Sequence, residues 1–97
     1  MQAPPQAPHD VVRQINVIEH ALDDVVNTGS DDELFVASYL QGHFAVIARA
    51  LEMDEHATLD ALDDQMRKSL VTAFRNKELE EADQEQVLLL WQRLRSD

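Results

Sequence analysis

The strongest constraint on this chain is the spacing of its apolar residues, which recur at the helical period in four successive segments and nowhere alternate as a strand would. From Asp10, Val11, Ile15, Ile18, Leu22 and Val25 with Val26 mark one face of a first helix, while Arg13, Asn16, His20, Asp23 and Asn27 fall opposite. Asn27-Thr28-Gly29 closes it, with Gly29 expected in the left-handed conformation of a C-terminal cap. Ser30-Asp31-Asp32-Glu33 then reads as a capping box, with three carboxylates at the positive end of a helix dipole.

The second helix spans Asp31 to Glu52 and carries Phe35, Val36, Tyr39, Leu40, Val46, Ile47 and Leu51 on a wide apolar arc. A third, from about Glu55 to Asn76, presents Leu59, Leu62, Met66, Leu70, Ala73 and Phe74. On its other side Asp63 and Arg67, and Asp64 and Lys68, are placed to pair at i, i+4. The fourth, about Glu81 to Arg95, uses Val87, Leu88, Trp91 and Leu94. Short connections make consecutive helices antiparallel neighbours. The expected fold is all-α: a single-domain, up-down-up-down four-helix bundle over residues 10–97, preceded by a disordered, Pro-rich tail at 1–9 that holds Pro4, Pro5 and Pro8. Val71 and Leu89 fall off their stripes, so the expected state is a monomer or a weak homodimer.

Composition narrows the chemistry. With no cysteine, thiolate zinc sites, iron–sulfur clusters, disulfides and Cys nucleophiles are excluded. Eight Lys and Arg against nineteen Asp and Glu give a formal charge of −11, which disfavours nucleic acid and anionic membranes as partners and favours a basic protein or a cation. No leader-like segment and no run of about 20 apolar residues stands out, so the expected location is the cytoplasm, with no membrane partner. The Glu-x-x-His, HExxH, phosphate-loop and dinucleotide patterns are absent. The window from Asp24 to Phe35 imitates an EF-hand only in Gly29, since Val26 and Phe35 occupy ligand positions. His20 with Asp23 and Asp24 offers at most a weak surface metal site, and a solvated polar face explains them better. Neither an enzyme nor a cofactor is expected.

Two places invite a functional reading. His43 is the histidine expected to face inward, beside Gly42, whose place in mid-helix costs about 1 kcal/mol against Ala and calls for a packing or access reason. A neutral His43 bonded to a buried carbonyl or hydroxyl is the structural reading. A small-molecule or metal pocket at Tyr39, Gly42, His43 and Trp91 is the functional one. The depth of each helix puts His43, Met66 and Trp91 in one core layer, with Gly42 making room for the indole. The second place is a negative cap. No Lys or Arg lies between Gln14 and Ala48, while Asp23, Asp24, Asp31, Asp32 and Glu33 gather at the first helix's end and the second's start. Asp23 and Asp24 oppose the local dipole, a broken rule that a basic partner would offset. The leading expectation is a non-enzymatic module that binds a basic or amphipathic protein segment at this surface, and the pocket is the alternative.

The block Asp31 to His43 (DDELFVASYLQGH) resembles the YfcL family of small gammaproteobacterial proteins through its acidic capping run, Leu34-Phe35, and Tyr39-Leu40-x-Gly42-His43. A looser likeness extends to Trp91 and Leu94. The resemblance implies an all-helical bacterial cytoplasmic protein and carries no established activity, cofactor or catalytic residue.

Overall fold

A computed structural model describes residues 6–96, which form four helices: α1 (His9–Thr28), α2 (Asp31–Glu52), α3 (Leu59–Arg75) and α4 (Glu81–Ser96). No strand occurs among the described residues. Contacts run antiparallel from each helix to the next: Arg49 meets Glu19, His43 meets Ser69, and Trp91 meets Asp63. The up-down-up-down order thus holds, with α2 packed closely against all three other helices. By length and composition α2 is apolar enough to cross a membrane, contrary to the sequence expectation. Its apolar side instead serves the core through Val36, Ala37, Leu40, Phe44, Ala48 and Leu51.

Local chemistry sets the helix ends. Ser30 Oγ accepts from the Glu33 amide at 3.3 Å, and Glu33 Oε1 accepts from the Ser30 amide at 3.1 Å, completing the expected capping box. Gly29 corrects an expectation. It is extended, at φ −76° and ψ 169°, rather than left-handed. It is glycine because a Cβ there would stand 2.6 Å from the Val25 carbonyl oxygen, where the chain folds back tightly between α1 and α2.

The start of α3 is four residues later than expected. Asp54 Oδ1 accepts from the His56 amide at 2.9 Å, drawing residues 54–57 into a turn, and Thr58 Oγ1 then caps the Ala61 amide at 3.0 Å. α3 ends on a left-handed residue, Lys77 (φ 59°), whose amide donates to Phe74 O while that of Glu78 donates to Ala73 O. The tail expectation also needs correcting where residues are described. Gln6 and Ala7 both donate to the last carbonyl of α2, Glu52 O, at 2.7 and 3.0 Å, and Ala7 is buried, while His9 already belongs to α1. Met1 to Pro5, with Pro4 and Pro5, lie outside the described residues.

In the core, Trp91 is 1% exposed and stacks at a tilt on Phe44, ring centroids 6.0 Å apart, with Ile15, Ile18 and Met66 fully buried around the same cluster. The indole thus meets Phe44 where the sequence reading placed His43. The indole N–H donates to Asp63 Oδ1 at 2.8 Å. Arg67 Nε and Arg95 Nε reach the same oxygen at 3.1 and 3.2 Å. Both i, i+4 pairs of α3 form, Lys68 meeting Asp64 at 2.9 Å. Partial burial raises the cost of ionising Asp63, but the indole, the Arg67 bond and the two guanidinium charges outweigh it and hold its carboxyl below the usual range.

Two stability outcomes follow from these contacts. Asp63→Ala leaves a buried indole N–H without an acceptor and should cost about 2 kcal/mol in chemical denaturation, whereas Asp63→Asn keeps an acceptor and should cost less. Because the folded pKa of Asp63 is depressed, its contribution is present above the unfolded value and lost as pH falls through the folded one. Lys77→Gly relieves a left-handed side-chain-bearing residue, and thermal melts should show a gain of about 0.5–1 kcal/mol.

Candidate functional site

The structure separates the four residues of the expected pocket. His43 and Tyr39 lie half-buried on the seam between α2 and α3, with ring centroids 4.8 Å apart and planes tilted by 47°. His43 Nδ1 lies 2.9 Å from Ser69 Oγ, so the ring meets a hydroxyl as the structural reading required, but at the edge of the core rather than within it. Gly42 faces outward, and a Cβ built on it meets nothing within 4 Å. It therefore makes no room for the indole. Trp91 instead lines a small cavity of about 220 Å³ with Gln14, Ile18, Leu59, Asp63 and Arg95. No three His, Asp or Glu side chains converge as a metal site among the described residues, His20 with Asp23 and Asp24 included.

The cause of the misplacement is a rotation of α2. Phe35 and Val46, read as core, are 50% and 73% exposed, whereas Phe44, Ala37 and Ala48 are buried. Turning the helix to bury Phe44 carries His43 to the flank and Gly42 to the outside.

The larger concavity, of about 680 Å³, opens at the other feature, the negative cap. Its walls come from three helices: Val25 of α1, Asp32, Glu33, Phe35 and Val36 of α2, and Ala82, Asp83, Gln86, Leu89, Leu90 and Arg93 of α4. The tight turn at Gly29 brings Val25 beside the start of α2. The capping box then fixes Glu33, whose carboxyl is held below its usual range by the Ser30 backbone and side-chain bonds, with a further contribution from the Arg93 charge. Phe35 and Leu89, the latter 52% exposed, supply apolar surface between acidic Asp32, Glu33 and Asp83.

Of the five residues expected to form the interaction surface, Asp32 and Glu33 line this groove. Asp31 is exposed beside them in sequence. Asp23 is bonded across the helix pair, accepting from Gln41 Nε2 at 2.7 Å, and the Asp24 carbonyl accepts from Thr28 Oγ1 at 2.6 Å. The contributions of Asp83, Leu89 and Arg93 were not legible, because which face of α4 meets α2 is a tertiary fact. Leu89, off its helix's apolar stripe, was the one available signal.

Tyr39 offers a spectroscopic handle on the α2–α3 seam. Its hydroxyl donates to Glu78 Oε1 at 3.0 Å, and burial together with that carboxylate pushes the phenol up to about 12. A folded pKa above the unfolded value means the stabilisation is complete below the ordinary tyrosine value and lost as pH rises from there through the folded value of about 12. As the chain has one tyrosine, ultraviolet titration should show ionisation well above pH 10, and Glu78→Gln should move it down.

The YfcL protein family matches residues 13–96. The uncharacterised protein YfcL of Escherichia coli strain K12 is 34% identical over 73 residues, covering 75% of this chain and 79% of that protein. No solved structure matches. The chain belongs to the YfcL family.

Proposed function

We propose that this protein is a non-enzymatic interaction module whose groove between the start of α2 and α4 receives a basic, amphipathic segment of another protein. One observation carries the reading: the 680 Å³ groove joins exposed apolar side chains, Phe35 and Leu89, to the carboxylates of Asp32, Glu33 and Asp83 on a chain of net charge −11. Apolar residues on one face of a bound helix would cover Phe35 and Leu89 while its lysines or arginines meet the acidic rim. The surrounding negative field speeds the encounter with such a segment and repels acidic ones, so it contributes more to selectivity than to the final affinity. Arg93 breaks the negative run and provides a place for one acidic residue or a carboxyl terminus of the partner.

A synthetic helical peptide of Leu and Lys tests this, with the same peptide carrying Glu in place of Lys as control. The Lys peptide should shift the backbone amide resonances of Phe35, Asp83 and Leu89, and should weaken as salt is raised. Leu89→Asp, at an exposed position that leaves the fold intact, should weaken binding by about tenfold or more. Equal binding of both peptides, or shifts confined to other surfaces, would overturn the proposal.

A further inference from the structure

A helix of the kind that the groove calls for is present in the chain itself. Between Gln65 and Lys77 there is no Asp or Glu, and four of the chain's eight Lys and Arg lie there, all exposed. Of the other four, Arg49 and Arg95 are held by Glu19, Glu52 and Asp63, Arg93 lines the groove, and Arg13 lies on α1. The outward line of α3 runs Asp64, Lys68, Val71 and Arg75, at steps of four, three and four, and each of these residues is exposed. Val71, 44% exposed, is an apolar residue off its helix's buried stripe, as Leu89 is in the groove. Lys68 meets Asp64 in an exposed pair of little worth, and no ion pair holds Arg75 among the described residues.

We infer that the groove takes α3 of a second copy of this chain, an occupant that rests on the groove reading above and gives its basic, amphipathic segment an identity. The two helices carry the same order of charge. On the α4 wall of the groove Asp83, Gln86, Leu89 and Arg93 run from acid through apolar to base, and the outward line of α3 does so from Asp64 through Val71 to Arg75. Laid antiparallel, Arg75 meets Asp83, Asp64 meets Arg93, and Val71 falls within a turn of Leu89. Both ends fit at once, since Asp64 to Arg75 spans about 16 Å of helix and Asp83 to Arg93 about 15 Å. A parallel arrangement would set acid against acid at one end and base against base at the other. Lys68 then turns to the α2 wall, where Asp32 and Glu33 supply carboxylates. The charge of −11 on each copy is screened beyond about 8 Å at physiological ionic strength, so the local pairs decide at contact. Because the contact joins different surfaces of the two copies, each disabled surface can be rescued by an intact one on another chain.

Sedimentation equilibrium on the full chain decides the matter. The wild type should populate species heavier than the 11.0 kDa chain, dissociating on dilution. Leu89→Asp disables the groove and Val71→Asp disables α3, both at exposed positions, so each variant should sediment as a monomer with a thermal midpoint near that of the wild type. An equimolar mixture of the two should recover a one-to-one complex, because one chain keeps α3 and the other keeps the groove. Arg75→Asp should weaken association by about tenfold or more, and Asp83→Arg in the same chain should restore most of it, as the antiparallel register requires. The Val71→Asp monomer retains a free groove and should bind the Leu and Lys peptide. A wild type that stays monomeric while Val71→Asp binds that peptide overturns the second copy as occupant and leaves the groove reading standing, whereas failure of both association and peptide binding sinks the two together. Association that survives Leu89→Asp or Val71→Asp, or a mixture no heavier than its parts, also overturns the inference.

Discussion

The architecture rests on one helix having to satisfy three partners. α2 packs against α1, α3 and α4 and buries Val36, Ala37, Leu40, Phe44, Ala48 and Leu51, so its rotation about its own axis decides which of its residues reach the core and which face out. Small residues make this possible. Ala37 and Ala48 are fully buried, which allows neighbouring backbones to come close, while Leu40, Phe44 and Leu51 fill the space between the helices. The direction in which Phe44 points decides that His43 sits at a flank against Ser69 and that Gly42, Val46 and Phe35 face away.

This explains which features were legible in the sequence. α1 and α3 have clean polar and apolar sides, and their buried residues, such as Val11, Ile15, Ile18 and Leu22, or Leu62, Met66 and Leu70, match the expected stripes. The capping box at Ser30 and the carboxylate pairs of α3 were equally local and equally readable. α2 was different because apolar side chains surround much of it. Ranking positions by size and hydrophobicity favoured Phe35 and Val46 over Ala37 and Ala48, yet the two alanines are fully buried while Phe35 and Val46 are exposed. The His43 pocket was an error of rotation rather than of element assignment, and Trp91 is buried with Phe44, not His43, as its aromatic neighbour.

Polar tertiary contacts were the other blind spot. Asp63 was visible as the partner of Arg67 four residues on, but the same oxygen also receives the Trp91 indole and Arg95 from α4. A carboxylate with three donors ties the start of α3 to the end of α4, although these two helices have little other close contact. Similarly, Asp23 opposes the dipole at the end of α1 and yet accepts a bond from Gln41 across the helix pair. The local rule that it breaks is offset by an interaction no single-helix argument can contain.

Charge distribution connects the folding problem to the surfaces it leaves over. Near the turn between α1 and α2, acids serve the helix dipole of α2 and accumulate because Gly29 brings the two helix ends together. From Leu34 to Ala48 α2 carries none, and its exposed residues there are small or apolar. A solvated helix face gains nothing from a glycine and a β-branched valine, which are weaker helix formers than the charged residues used freely elsewhere in the chain. The acid-rich end and the acid-free middle of one helix therefore present two chemically distinct surfaces, and the rotation set by Phe44 turns the second of them outward.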